Sequence, residues 1–192
     1  MSHYFTNDNV KSNEKIINTK IKDTELKFIT DNGVFSKRGL DFGTRTLLEN
    51  IDLSSKKEIL DFGCGYGPIG IYIAKTTGSK VDMIDINKRA LSLAIKNSKL
   101  NNVNTNVFES NIYDNVSKKY DYIITNPPIR VGKKILYDIL FDAYNYLKAG
   151  GELWLVVNKN QGAHSLVNDL EEKYTVEVVA KNKGFYIIKA IK

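Results

Sequence analysis

The chain has 192 residues, of which 42% are hydrophobic, and this length suits one domain with a single buried core. Its single cysteine, Cys64, excludes an internal disulfide and a multi-cysteine metal site, and we expect no metal. No apolar run reaches the roughly 20 residues that cross a bilayer, and no apolar signal-peptide segment opens the chain, so the sequence predicts a cytoplasmic protein.

The chain carries a formal net charge of +6, with a pI near 9.2. A basic surface attracts polyanions, which makes RNA or DNA a plausible partner. Charged residues nevertheless form an ordinary 26% of the chain, and the lysines are dispersed along it. A lysine-rich solvated surface therefore explains the charge as well as nucleic-acid binding does.

The first 50 residues contain two short strand patterns, EKIINTKI and TELKFIT, followed by a helix that begins near Gly43. These elements do not show the alternation of strand and helix patterns that the rest of the chain shows. We interpret residues 1–50 as an N-terminal extension packed on a main domain of residues 51–192.

From residue 58 onward, strand and helix patterns alternate. The strand patterns are EILDFG, KVDMIDI, TNVFES, YDYIITN and GELWLVVNK, and the helical patterns are GPIGIYIAKTTG, NKRALSLAIKNSKLNN opened by Asn87, KKILYDILFDAYNYLKAGG and QGAHSLVNDLEEKY. Such alternation predicts an α/β fold, with a mostly parallel sheet covered by helices on both faces. TVEVVAK and GFYIIKAIK lie too close together for a parallel crossover and predict an antiparallel hairpin at Asn182 and Lys183.

A glycine-rich loop, DFGCGYGPIG, leaves the first strand of this series and enters a helix. Gly63, Gly65 and Gly67 would let the backbone pass close to a ligand, although a glycine triplet alone is equally typical of a structural turn. Asp85 closes the next strand, where a carboxylate can accept hydrogen bonds from both hydroxyls of a ribose. Together the loop and Asp85 indicate an adenosine-binding site.

The segment YDYIITNPPIRVGK places two of the three prolines of the chain directly after Asn126. Two successive prolines stiffen the backbone and remove two N–H donors, so the Asn126 side chain and the Pro127 carbonyl would face a pocket rich in acceptors. Such a pocket suits an NH₂ group. An isolated N-P-P could be a turn, but its position after a strand and downstream of the glycine loop favours a catalytic role.

The pattern D-x-G-x-G-x-G, followed by an acidic residue at the end of the next strand, resembles the class I S-adenosylmethionine-dependent methyltransferases. The resemblance implies a Rossmann-like, seven-stranded sheet with S-adenosyl-L-methionine as cofactor, its methionine end near Asp61 and its ribose on Asp85. It also implies an adenine contact at Asn111, beside Ile112, with Ser110 and Asp114 as alternatives. The implied cofactor-binding residues are Asp61, Gly63, Cys64, Gly65, Gly67, Asp85, Ile86, Asn111, Ile112 and Asn126.

A more specific resemblance extends over almost the whole chain. HYFTNDNV, FITDNGVFSKRGLDFGTRTLLENI, TNPPIRVGK, NKNQGAHS and KNKGFYIIKA together resemble the ribosomal small-subunit guanine-2-amino methyltransferases and their single-domain relatives. The resemblance implies methyl transfer to the exocyclic 2-amino group of a guanine in ribosomal RNA, free or within a small subunit, with Asn126, Pro127 and Pro128 as the catalytic motif. It specifies no oligomeric state, although a monomer is slightly favoured.

Further pocket and substrate candidates lie in two segments. The resemblance implies that the G-V-F-S-K segment and the following D-x-G-T-R helix close over the cofactor, which makes Phe35, Ser36, Lys37 and Thr44 pocket candidates. Phe35 would cover the adenosine or the incoming base, although ordinary packing for Phe35 and solvent exposure for Lys37 are nearly as plausible. The other candidates surround the N-P-P motif: Ile129, Arg130, Lys133 and Lys134. The last three residues are cationic and suit RNA phosphates, or alternatively a solvated surface.

Ile129 stands where many enzymes of this kind carry an aromatic residue, so the base would need another stacking partner. Two alternatives remain beside the guanine hypothesis. One is methylation of a different planar amine, in a protein glutamine or DNA adenine. The other is a non-catalytic RNA-binding protein with a methyltransferase fold, which the intact motifs disfavour.

Overall fold

A computed structural model of the chain describes residues 11–128 and 132–192. Two antiparallel strands, β1 (Lys15–Ile21) and β2 (Thr24–Thr30), form a separate two-stranded sheet, and helix α1 (Phe42–Asn50) follows them. The two strands and the helix start near Gly43 agree with the sequence patterns.

The other seven strands form one sheet, in the order β5-β4-β3-β6-β7-β9-β8. Its strands are β3 (Ile59–Phe62), β4 (Val81–Asp85), β5 (Thr105–Glu109), β6 (Tyr120–Thr125), β7 (Leu147–Asn158), β8 (Thr175–Asn182) and β9 (Phe185–Ile191). All neighbours pair in parallel except β9, which runs antiparallel to both β7 and β8. The predicted α/β fold with its C-terminal hairpin is therefore confirmed.

Together with α1, which packs against β7, β8 and β9, four further helices cover this sheet: α2 (Pro68–Thr77), α3 (Lys88–Leu100), α4 (Lys133–Tyr146) and α5 (Ala163–Leu170). Adjacent residues of the strands belong to different apolar clusters, as Ile59 and Leu60 do, so one core layer lies on each face of the sheet. Among the described residues, no helix is long and apolar enough to cross a membrane.

Helices α2 and α3 begin at residue types that favour a helix start. Pro68 opens α2, where its missing N–H costs nothing. The Asn87 side chain caps α3 by accepting hydrogen bonds from the backbone N–H groups of Arg89 and Ala90, as expected.

The end of α4 differs from the sequence expectation. The predicted helix ran into Gly150 and Gly151, but α4 ends at Tyr146 and β7 begins at once. The two glycines lie inside β7, where Gly150 N–H donates to the Lys192 carbonyl and Lys192 N–H donates to the Gly151 carbonyl. Backbone partners from the chain terminus thus replace the helix end that local sequence predicted.

Two asparagines join the β1–β2 hairpin to α3. Asn97 Oδ1 accepts from the N–H of Ile29 at 2.6 Å, and Asn101 Oδ1 accepts from the N–H of Lys27 at 3.1 Å. The same amides donate to the Ile29 and Lys27 carbonyls, at 2.9 and 2.7 Å. The side chains therefore pair with the open edge of β2 as a neighbouring strand would.

Asn97 also reaches the glycine-rich loop, because its Nδ2 donates to the Tyr66 carbonyl at 2.9 Å. Its side chain is fully buried. One side chain thus satisfies backbone groups of both the hairpin and the loop.

Replacing Asn97 by alanine should lower the free energy of unfolding by about 2 to 4 kcal/mol, since several buried backbone groups lose their partner. Urea denaturation followed by circular dichroism measures the change. Asn18→Ala, at an exposed position of β1, is the matched control and should shift stability by less than about 0.5 kcal/mol. Equal stabilities of the two variants would contradict this role of Asn97.

Candidate active site

The glycine-rich loop joins β3 to α2 through three left-handed glycines. Gly63, Gly65 and Gly67 have φ angles of +70°, +55° and +97°, which residues with side chains rarely adopt. A Cβ added at Gly63 or Gly65 would meet no atom within 4 Å, whereas one at Gly67 would lie 2.8 Å from Ile71 Cδ1. The first two glycines therefore border open space above the sheet, and Gly67 packs against its own helix.

Asp61, in β3, binds the first turn of α2, directly after this loop. Its side chain is fully buried, and Oδ2 accepts a hydrogen bond from the Gly70 N–H at 2.8 Å. Burial, together with the nearby charge of Asp85, raises the pKa of Asp61 to about 7 although the Gly70 hydrogen bond opposes the shift. No described residue donates to Asp61 Oδ1, which leaves one buried oxygen available to a ligand.

Asp85, the last residue of β4, contacts the middle of the loop at Gly65. Its Oδ2 accepts from the Gly65 N–H at 2.8 Å, and its Oδ1 accepts from the Asn87 N–H at 2.9 Å. Burial raises the pKa of this carboxyl, and the backbone hydrogen bonds partly offset that effect. A third backbone hydrogen bond comes from Ile86, and the carboxylate keeps acceptor capacity for a hydroxyl donor.

The segment after β5 supplies the predicted adenine contact. Asn111 is exposed and its Nδ2 donates to Asp114 Oδ2 at 3.1 Å, while Ile112 has a φ of +49°. Ser110 is buried, and its hydroxyl donates to the Ile112 carbonyl and accepts from the Asn115 N–H. Ser110 thus fixes the turn that presents Asn111 and Ile112, and the assignment of these two residues to the cofactor stays a prediction.

The N-P-P motif follows β6, which is the neighbour of β3. Thr125 pairs with Phe62 in the parallel register, so Asn126 and Gly63 are the next residues of adjacent strands. Pro127 is buried, and Asn126 and Pro128 are partly buried. The motif and the glycine loop therefore lie side by side at the carboxyl edge of the sheet, as expected for a ligand crevice.

The Asn126 side chain has two partners in the preceding segment of the chain. Its Nδ2 donates to Thr44 Oγ1 at 2.9 Å and to Asp41 Oδ1 at 3.3 Å. Asp41 is the N-cap of α1, where the same Oδ1 accepts from the Thr44 N–H at 3.1 Å. Sequence reasoning named Thr44 as a pocket candidate but missed Asp41, whose only local signal is that aspartate favours helix N-caps.

Two large apolar side chains remain exposed near the crevice. Phe35 is 53% exposed in the loop after β2, and Ile86 is 40% exposed directly after Asp85. Cys64, by contrast, is buried within the loop, and burial raises the pKa of its thiol. Phe35 and Ile86 could cover a flat ligand, whereas Cys64 offers it only backbone atoms.

Two of the three cationic candidates, Lys133 and Lys134, lie within the described residues. Lys133 is exposed at the start of α4, where its Nζ lies 3.8 Å from Asp169 Oδ2 and 4.7 Å from the centre of the Tyr137 ring. Lys134 is exposed beside it. Ile129 and Arg130 lie outside the described residues. Within the described ranges, no group of three or more histidine, cysteine, aspartate or glutamate side chains could hold a metal ion.

Three features occur together: a seven-stranded sheet of this strand order, two carboxylates that bind the glycine loop and the first turn of α2, and an N-P-P motif directly after β6. They define the Rossmann-like class I methyltransferase fold. The family model described as methyltransferase small domain matches residues 25–189. The chain belongs to this methyltransferase family.

Three proteins illustrate what this chain is similar to in sequence. The uncharacterized protein YbxB of Bacillus subtilis is 42% identical over 99% of this chain and 98% of its own length. Ribosomal RNA small subunit methyltransferase C of Psychromonas ingrahamii is 37% identical over 72% of this chain, which spans only 41% of that protein. A Methanocaldococcus jannaschii protein with the name "putative protein N5-glutamine methyltransferase" is 34% identical over 71% of this chain and 80% of its own length.

Among solved structures, the 16S rRNA N2 G1207 methyltransferase RsmC of T. thermophilus, in complex with AdoMet and guanosine, aligns with a TM-score of 0.84. The alignment covers 93% of this chain and 50% of that one, at 24% identity. At this identity the likeness establishes the fold.

The raised pKa of Asp61 predicts a pH dependence of stability. Between about pH 4 and pH 7 the folded state keeps a proton that the unfolded chain has lost, so the unfolding free energy should fall as pH rises. The full effect for this one group is about 4 kcal/mol. Urea titrations at pH 5, 6, 7 and 8 would measure it.

Asp61→Asn removes the titrating group and keeps an oxygen that can accept from Gly70. The variant should therefore show a flatter stability profile than the wild type over this pH range. Parallel profiles for the two proteins would show that Asp61 does not titrate there.

Proposed function

We propose that the protein transfers a methyl group from S-adenosyl-L-methionine to the exocyclic 2-amino group of a guanine in ribosomal RNA. The supporting observation is the adjacency of Asn126 and Gly63 on neighbouring parallel strands, which brings the N-P-P acceptors beside the cofactor loop. Family membership supplies the class of reaction.

The cofactor would lie across the carboxyl ends of β3 and β4. Asp85 would accept hydrogen bonds from the ribose hydroxyls with its remaining lone pairs, and Asn111 and Ile112 would border the adenine. The methionine end of the cofactor would lie near Asp61, whose Oδ1 is buried and accepts no hydrogen bond from a described residue. When bound, the cofactor supplies an electrophilic methyl group on a sulfonium.

The N-P-P motif would orient the accepting amine. The guanine amino nitrogen is a poor nucleophile because its lone pair is delocalised into the ring. If Asn126 Oδ1 and the Pro127 carbonyl each accept one N–H, the nitrogen becomes more pyramidal and its lone pair points toward the methyl group. Such orientation can contribute roughly 7 to 11 kcal/mol in favourable cases. The displaced proton then leaves the methylated nitrogen for water.

The choice of guanine in ribosomal RNA rests on the resemblance of the whole chain and on the names of several relatives, including that of Psychromonas ingrahamii. The net charge of +6 suits a polyanionic substrate. Arg130, Lys133 and Lys134 would contact phosphates, and Phe35 and Ile129 would contact the base. A protein glutamine is the second candidate, because the Methanocaldococcus jannaschii relative is named for that activity and a glutamine amide is also planar.

Replacing Asn126 by alanine should lower turnover at least 100-fold and change the cofactor dissociation constant less than about threefold, since the amide acts on the substrate amine. Replacing Asp85 by alanine should weaken cofactor binding at least 10-fold, since it removes the ribose acceptors and the Gly65 contact. Isothermal titration calorimetry and transfer of a labelled methyl group measure the two effects.

Lys75→Ala, on the exposed side of α2, is the control and should leave both quantities unchanged. An active Asn126→Ala enzyme would contradict the role of the N-P-P motif.

The substrate is tested by offering labelled cofactor to free ribosomal RNA, small ribosomal subunits, DNA and a release factor, and then identifying the modified nucleoside or amino acid. We expect N2-methylguanine in one of the two RNA samples. Label in glutamine alone would support the second candidate, and cofactor binding with no methyl transfer to any sample would favour a non-catalytic RNA-binding protein.

A further inference from the structure

The amide of Asn126 is held by the segment that precedes the cofactor domain in the chain. Thr44 Oγ1 and Asp41 Oδ1 both accept hydrogen bonds from its Nδ2, and both residues belong to the first turn or the N-cap of α1. No described residue donates to its Oδ1.

These contacts decide which way the amide faces. An asparagine side chain can rotate by half a turn and exchange its acceptor oxygen for its donor nitrogen with little change in shape. A carboxylate oxygen can only accept a hydrogen bond, so the side facing Asp41 must be the NH₂ group. The carbonyl oxygen of Asn126 is then left for the crevice.

The orientation matters because the reversed amide would present two N–H donors to the incoming amine. Donors facing a donor cannot accept its hydrogens, and the amine would lose one of its two orienting contacts. One flipped side chain would therefore disable the site without altering the fold.

We propose that Asp41 and Thr44 are positioning residues that fix the Asn126 amide with its oxygen toward the substrate amine. This inference rests on the proposed function, because it concerns the acceptor used in that reaction. It makes α1 a component of the active site.

The surroundings keep the two acceptors in place. The Thr44 side chain is buried, and its own N–H donates to Asp41 Oδ1, so the cap and the Asn126 contact share one oxygen. Gly43 packs so closely that an added Cβ would lie 3.0 Å from Cε1 of Phe185. The first turn of α1 is therefore pressed against β9 and has little room to move.

Thr44→Val removes the hydroxyl at nearly constant volume and should lower kcat about 10-fold, with the cofactor dissociation constant unchanged within twofold. Thr44→Ser restores the acceptor and should recover more than half of the activity. Thr46→Val is the matched control, because Thr46 is equally buried on the same helix but donates its hydroxyl to the Phe42 carbonyl. That variant should keep the wild-type kcat.

The side-chain amide resonances of Asn126 give a readout that does not depend on the substrate. They are assigned by their loss from the spectrum of Asn126→Ala. We expect Thr44→Val to shift them and speed their proton exchange with water, and Thr46→Val to leave them unchanged.

With a substrate that the wild-type protein methylates, equal kcat values of Thr44→Val and Thr46→Val would overturn the inference. Asn126 resonances that do not respond to Thr44→Val would overturn it as well. A wild-type protein that methylates no RNA, but whose Asn126 resonances respond to Thr44→Val, would refute the proposed substrate and leave the orientation of the amide supported. The two failures are thus distinguishable.

Discussion

The site depends on two buried carboxylates that accept backbone hydrogen bonds, one from the glycine loop and one from the first turn of α2. Asp61 takes the N–H of Gly70 and Asp85 takes that of Gly65, each at 2.8 Å. Left-handed glycines cannot hold a single loop shape by themselves, because glycine has many accessible conformations. The two carboxylates supply that restraint from the adjacent strands β3 and β4. Their burial disfavours the charged form, which raises the pKa of both groups.

The N-terminal hairpin is linked to this loop through Asn97, and α1 contacts the N-P-P motif. Asn97 joins β2 to the carbonyl of Tyr66 within the loop, whereas Asp41 and Thr44 reach Asn126 after β6. Residues 1–50, proposed as an extension of the domain, thus include groups that are linked to the glycine loop and to the amide of Asn126. Removing them would leave buried backbone and amide groups without partners.

Sequence reasoning succeeded where one local pattern was sufficient. The cap of α3 at Asn87, the C-terminal hairpin and the alternation of strands and helices all follow from residues close together in the chain. The hairpin turn lies at Lys183 and Gly184, one residue later than predicted, because Asn182 still pairs with Phe185. Sequence reasoning failed at the end of α4, because the residues that make Gly150 and Gly151 part of a strand come from Lys192 at the chain terminus. Periodicity cannot include a partner that is about 40 residues away.

The sequence by itself was sufficient to identify the fold class, the glycine loop, Asp85 and the N-P-P motif. Each of these follows from consecutive residues or from the spacing of neighbouring elements. Only the tertiary structure decided how Asn126 is held, because Asp41 and Thr44 precede it by 85 and 82 residues. A side-chain hydrogen bond depends on distance and direction in space, and chain folding alone brings such distant donors and acceptors together.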